Sequence, residues 1–189
     1  MDAKRQVRDS GLLDALEITP TRQFSGRVWR VVRTGRDPCQ GSASGGRWDD
    51  RTFDVLYTSL KREGALAEMY FHLSKGQPVI PSKVTYSLYE LEVILSSCLS
   101  FEDLAALAQL GMDTTVFGQL SYSERQAEYP RSQDIAEHSH FLGHHGILVP
   151  NARWSCQNAV IFTERVAPEH CQVAVDHGAV DWNQWRRGL

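Results

Sequence analysis

The sequence predicts an α+β fold in a single domain, built on a mixed β-sheet core with short helices. Three observations lead there. Stretches of alternating or β-branched apolar residues interleave irregularly with short stretches of helical period. No internal repeat or low-complexity run interrupts them. The 189 residues, 42% hydrophobic and 23% charged, are enough for one well-buried core.

Residues 1–17 mix charges with Val7, Leu12, Leu13, Ala15 and Leu16, the pattern of a short amphipathic helix or peripheral arm, and Pro20 limits its run. This divides the chain into an arm at 1–24, a main domain at 25–175 and a tail at 176–189 that packs on it. Gly26 to Arg33 reads as a strand in which Val28, Arg30 and Val32 share one face. Arg30 then points the same way as apolar neighbours, either toward a site or as an edge-strand arginine whose head reaches water.

From Thr34 to Gly46 the composition turns to Gly, Asp, Pro, Ser and Cys, ending in Gly45-Gly46. Paired glycines allow a positive φ or a close approach to a ligand, and the forked donors of Arg47 suit a phosphate or carboxylate. A plain turn with a solvated arginine has the same signature. Phe53 to Ser59 reads as a short strand, with Thr58 or Ser59 free to cap a helix from near Lys61. On that helix Ala65, Leu66, Met69, Tyr70 and Leu73 make an apolar stripe, and Glu68 stands among them. A carboxylate flanked by core is costly unless paired, so Glu68 is either a site residue or a rim group held by a Lys or Arg.

Gly76-Gln77-Pro78 ends this helix, and Val84 to Leu88 and Leu91 to Leu95 read as two extended central segments. Ser100 to Asp103 resembles a capping box for a helix through Leu110, stopped by Gly111. Residues 112–132 show no period. A helix from about Arg131 to Leu142 turns Ile135, Ala136 and Phe141 inward and closes at Gly143. Gly146 to Ser155 runs from a buried strand into a polar turn and Asn158 to Phe162 returns as a strand, which gathers Asn151, Arg153 and Ser155 at one end of the sheet. The tail offers a last strand from Val173 and an exposed terminus with Trp182, Trp185, Arg186 and Arg187, suited to packing or a partner contact.

Composition also narrows function. A net charge of −3 argues against direct nucleic-acid binding, which needs a surplus of Lys and Arg. Cys39, Cys98, Cys156 and Cys171 show no CxxC pair or zinc spacing and no export signal precedes them, which fits reduced thiols in a cytoplasmic protein. No apolar run approaches the roughly 20 residues of a membrane span. His140 and His144 stand i,i+4, but Gly143 falls between them and no Cys or acidic partner lies at ligand spacing, so His138, His140, His144 and His145 read as surface or turn residues and no metal is expected.

Trp29-Arg30, Gly45-Gly46-Arg47-Trp48, Leu56-Tyr57-Thr58-Ser59, Ala65-Leu66-Ala67-Glu68, Gly146 to Pro150 and Asn158 to Phe162 occur together in an order that resembles the RES-domain proteins, toxins of bacterial RES–Xre toxin–antitoxin modules. The resemblance spans roughly residues 25–165 and implies a fold similar to the ADP-ribosyltransferases, with NAD, as substrate, in a cleft of a split sheet. It makes Arg30 the family arginine and Glu68 the glutamate, as catalytic residues, and places Arg47, Tyr57 and Gly46 with Arg30 on the NAD. Where the family reads Pro-Ser-Ala-Arg this chain has Pro150-Asn151-Ala152-Arg153, so Asn151 takes the serine's place, with Ser155 as another hydroxyl in that turn; the family's Trp-Asn is Trp48-Asp49, a negative charge expected near the pocket mouth.

The implied reaction cleaves the nicotinamide–ribose bond and transfers ADP-ribose to a host protein acceptor. Alternatives are hydrolysis or phosphorolysis of NAD, and a catalytically impaired protein that acts by binding. The chemistry suits the residue types: a carboxylate stabilises an oxocarbenium-like ribose, arginines clamp a pyrophosphate and an aromatic ring stacks on nicotinamide. The family also implies a cognate Xre-type antitoxin that blocks the cleft and joins the toxin in a hetero-oligomer.

Overall fold

The computed structural model describes residues 7–74, 84–121 and 123–188. Asp9 accepts from the Leu12 N–H and opens helix α1 (Ser10–Glu17), which buries Leu12 and Leu16. The chain continues through β1 (Thr21–Arg33), β2 (Val55–Ser59), α2 (Arg62–Ser74), β3 (Tyr86–Ser100), α3 (Leu104–Gln109), α4 (Tyr129–Phe141), β4 (Gly146–Pro150), β5 (Gln157–Phe162), β6 (Cys171–Ala179) and α5 (Trp182–Arg187). The expected mixed sheet with short helices is present: six strands run β1-β2-β5-β4-β3-β6, parallel only between β3 and β4.

β1 also pairs with β3, from Thr21 with Leu99 to Arg33 with Tyr86, so the sheet curls back on itself. Its other edge meets β2 at a single registered pair, Trp29 with Ser59. β2 instead pairs along its whole length with β5. The sheet is therefore continuous around most of its curve and splits between β1 and β2.

Both faces of the central strands are buried, which explains their nearly unbroken apolar runs. Ile147, Val149, Val160 and Phe162 pack toward Leu12, Leu107 and Ile135 of the helices, while Leu148, Ala159 and Ile161 pack with Val28, Leu91 and Val93 on the other side. Each such fully buried side chain contributes about 1.5–3 kcal/mol. A third cluster fixes α2, where Ala65 and Leu66 pack on Val31 and Leu88.

Several expectations change. The two extended segments at 84–95 are one strand, β3, because β1 and β6 pair with it from opposite sides and carry it through Tyr89 and Glu90. Asp103, not Ser100, caps α3, accepting from the Ala106 N–H at 2.9 Å. Thr58 and Ser59 do not serve as free caps for α2: Thr58 Oγ1 donates to the Ala159 carbonyl at 2.8 Å and Ser59 Oγ lies 3.3 Å from Cys156 Sγ. Phe141 is 50% exposed, with the Arg8 guanidinium 3.8 Å from its ring centroid. Trp182 and Trp185 are half-buried against the third cluster, while Arg186 and Arg187 are exposed. The helix stop at Gly76-Gln77-Pro78 lies outside the described residues.

Candidate functional site

A cavity of about 1060 Å³ occupies the split between β1 and β2. Arg30 from β1, Gly46 and Arg47 from the loop before β2, Tyr57 from β2, and Glu68 from α2 all line it. Ala152, Arg153 and Asn158 close it from the β4–β5 side, and Phe117 and Arg125 from the segment before α4 with Tyr129 at the start of that helix. Its volume is at the upper end of small-molecule sites, and polar and apolar groups share its walls about equally.

The Gly-Gly-Arg loop is held in place before any ligand arrives. Asp49, fully buried, accepts from the Gly45 N–H at 2.5 Å and the Gly46 N–H at 2.8 Å with its two carboxylate oxygens. Tyr57 Oη donates to Asp49 at 3.0 Å and accepts from the Trp48 N–H at 2.9 Å. From below, Ser132 Oγ of α4 donates to the Arg47 carbonyl at 2.7 Å, and Gln133 Nε2 donates to the carbonyls of Gly46 at 2.8 Å and Asp49 at 3.0 Å. A Cβ on Gly46 would sit 2.5 Å from Tyr57 Oη, so only glycine fits there. The charge expected at the pocket mouth is thus inside the fold, spent on backbone donors. Burial, then the neighbouring Asp49 charge, pushes the Tyr57 phenol well above its ordinary value, so its hydroxyl stays protonated and its ring faces the cavity wall.

Glu68 stands on α2, whose first turn presses against the β4–β5 turn; a Cβ on Gly64 would lie 2.2 Å from Ser59 Oγ and 2.6 Å from Cys156 Sγ. Its Oε1 accepts from the Ala152 N–H at 3.2 Å. Enclosure raises its pKa, against the opposing pull of that N–H, of Arg153 and Arg47, and of an Asn158 hydrogen bond. The Asn158 amide is oriented by Asn151, whose Nδ2 donates to Asn158 Oδ1 at 2.7 Å, while Asn151 Oδ1 accepts from the N–H groups of Arg153 at 2.7 Å and Trp154 at 2.9 Å. Asn151 thus reaches Glu68 through Asn158 and builds the turn behind it; it is not among the cavity-lining residues. Ser155 is exposed and outside the cavity, its carbonyl accepting from Lys61 Nζ at 3.3 Å.

Arg47 is paired with Glu128, and both side chains are nearly enclosed, at 11% and 3% exposure. The Arg47 guanidinium also lies 4.5 Å from the Phe117 ring centroid and 5.4 Å from that of Tyr129. Two further arginines tie the same segment across the cleft: Arg153 donates to the Gly118 carbonyl with its guanidinium 3.3 Å from the Phe71 centroid, and Arg125 lies 2.9 Å from His72 Nδ1. The described residues of the 112–128 segment therefore form a strap over the cavity.

Arg30 is the remaining predicted residue. Its Nη1 donates to the carbonyls of Pro38 at 2.8 Å and Gln40 at 3.0 Å, so part of its head braces the loop while the residue lines the cavity. Desolvation lowers its pKa to about 10, leaving it cationic at neutral pH. Arg125, Arg153 and Phe117 were not singled out as site residues by the sequence; only Arg153, within the Pro150 to Arg153 turn, carried a signal.

The histidines take packing roles instead of surface ones. His138 is 4% exposed and its Nε2 accepts from the Asp9 N–H at 3.1 Å; His144, 8% exposed, lies 2.9 Å from Ser97 Oγ; His140 stacks on Phe53 at 4.5 Å. Among the described residues no three His, Cys, Asp or Glu side chains converge as a metal site, and no helix is long and apolar enough to cross a membrane.

A family profile described as the RES domain matches residues 27–183, and the chain belongs to that family. No curated protein sequence matches the chain. Among solved structures, the fold is similar to a chain in the crystal structure of the M. tuberculosis MbcT-MbcA toxin-antitoxin complex, with 18% identity and a TM-score of 0.77 over 95% of this chain and 97% of that one.

Proposed function

We propose that this RES-domain chain is the toxin of a toxin–antitoxin pair and consumes NAD by breaking its nicotinamide–ribose bond. The observation that carries the proposal is Glu68, a carboxylate in an arginine-lined cleft, held by the Ala152 N–H and the Asn158 amide. As the bond to nicotinamide lengthens, its electron pair leaves with the neutral base and positive charge develops on C1′ and the ring oxygen of the ribose. An ionised Glu68 beside that centre stabilises the charge as it forms, in a site partly shut from water. Arg47 and Arg153 supply forked donors for the pyrophosphate, and the Tyr57 ring offers a face for nicotinamide. Arg30 positions the loop that carries Gly46 and Arg47, with the rest of its head available to the dinucleotide.

ADP-ribose then passes to an acceptor. Transfer to a host protein is the first reading. Hydrolysis or phosphorolysis is favoured by one observation, the strap at 112–128, which narrows the cleft toward a small acceptor. The fold shared with a chain of a toxin–antitoxin complex supports an antitoxin partner, which we assign to the Xre type, in a cytoplasmic hetero-oligomer. Co-expression with the neighbouring reading frame and mass measurement of the product tests this; a chain that stays alone counts against it.

Release of free nicotinamide from NAD by the purified chain tests the reaction. Glu68→Gln is expected to lower the rate about a hundredfold or more; a rate equal to wild type, or no release from wild type with or without cell lysate, removes Glu68 and the NAD reading respectively. Label from the adenylate half on one protein band identifies transfer, and label in a small product identifies water or phosphate as acceptor. The rate should also depend on pH. Glu68 acts ionised and its pKa is raised, so activity falls with acidification at a pH above the ordinary glutamate range. A profile flat down to that range contradicts the assignment.

A further inference from the structure

The four cysteines, alike in the sequence, occupy different chemical settings. Cys98 is fully buried, its thiol donating to the Arg22 carbonyl at 3.2 Å, and Cys156 rests on Ser59 Oγ. Cys39 and Cys171 instead meet. Cys171 opens β6 paired with Val93, and paired residues in a ladder share a face, so its side chain lies on the sheet face that carries Val28, Leu91 and Val93. Cys39 belongs to the loop after β1, which folds back under that face and packs on the same cluster.

The loop is fixed on both sides of Cys39. Arg30 Nη1 donates to the carbonyls of Pro38 and Gln40, and the Cys39 N–H donates to Asp37 Oδ1 at 2.8 Å. There the two thiols stand as neighbours, each the other's strongest electrostatic influence. Both residues are half-buried and so reachable from solvent. The Arg30 guanidinium lies near both sulfurs, a setting that favours the thiolate form.

We propose that Cys39 and Cys171 form a redox-active dithiol, a modification site at which a small-molecule disulfide of the glutathione type closes an internal disulfide between the loop after β1 and the start of β6. The Cys39 thiolate attacks one sulfur of the small disulfide, forming a mixed disulfide and expelling one thiolate. Cys171, deprotonated, then attacks the Cys39 sulfur, forming the internal bond and expelling the second thiolate. The two protein protons end on the two released thiols, the protein loses two electrons and the small disulfide gains them. Cys39 is lowered in pKa by the neighbouring Cys171 thiol first and by Arg30 in smaller part, which suits the attacking role; Cys171 is raised by the neighbouring Cys39 and serves second.

The full chain, treated with oxidised glutathione, alkylated and digested, should yield a Cys39–Cys171 linked peptide, with Cys98 and Cys156 recovered alkylated. Cys171→Ser should trap glutathione on Cys39 as a stable mixed disulfide, and Cys39→Ser should leave Cys171 unmodified. Should a variant fail to fold, wild-type protein alone decides, because limiting iodoacetamide should label Cys39 about tenfold faster than Cys156. Glutathione spread evenly over the cysteines, a linkage between other residues, or equal labelling of Cys39 and Cys156 overturns the proposal.

Discussion

Two segments border the cleft and are held there by opposite means. The loop at 34–53 is fixed by charged side chains spent on backbone groups: Arg30 on the Pro38 and Gln40 carbonyls, Asp49 on the Gly45 and Gly46 amides, with Ser132 and Gln133 beneath. The strap at 112–128 is fixed by contacts with cations that themselves line the cavity, namely Arg47 with Glu128, Arg153 with Gly118 and Arg125 with His72. An anionic substrate would leave the Asp49, Ser132 and Gln133 contacts of the first set in place. The proposed dinucleotide would compete directly with the second, since its phosphates and Glu128 would seek the same guanidinium. The loop is thus a preformed wall and the strap an exchangeable one.

Breaking each kind of attachment should separate them. Asp49→Ala strands two buried N–H groups and a phenol, and should cost about 3 kcal/mol or more, read as a lower denaturation midpoint with the slope unchanged. A loss below about 1 kcal/mol would make the loop as replaceable as the strap. Glu128→Gln removes the carboxylate that competes for Arg47 and should lower KM for NAD about tenfold, equivalent to 1.4 kcal/mol, with kcat little changed. A raised KM with a midpoint loss as large as that of Asp49→Ala would mean that the strap is built as the loop is. Tyr57→Phe keeps the ring and deletes the hydroxyl between Asp49 and Trp48, for a cost of about 1 kcal/mol in stability and a nearly unchanged rate of nicotinamide release.

Glu68 sets a further contrast between stability and activity. Its pKa is raised in the fold, so the stability linked to it is full below the unfolded value and is lost as pH rises through the folded one. Glu68→Gln should therefore raise the thermal midpoint at neutral pH and do so less in acid, even as it removes activity.

What the sequence made legible follows from range. Gly46, Arg47, Tyr57 and Glu68 lie within one loop–strand–helix run, and the fold brings all four to one cavity with Arg30. The short strands β2, β4 and β5 were visible because burial on both faces leaves continuous apolar runs. β3 was cut in two because Glu90, which pairs with Arg27 at 3.1 Å and lies 3.4 Å from His177, interrupts the apolar period with a cross-strand charge network. Arg125 and Phe117 were hidden in a segment with no period, and the roles of Ser132 and Gln133, on a legible helix, because they act through contacts distant in sequence. Asp49 reads as an open charge in one dimension, since nothing local announces that two amides and a phenol fold over it.

The pairing of β2 with β5 has a consequence for the protein's birth. Tyr57 is registered on Val160 and Ser59 on Asn158, whereas β1 offers β2 only one pair. During synthesis, β2 thus waits for β5, late in the chain, before it has a full partner strand, whereas the helix bearing Glu68 can already rest on β1 and β3. A chain cut before β5 leaves β2 without its registered partner, so a cleft acting as proposed would be complete only late in translation, and an antitoxin of the proposed kind would have had that time to be present.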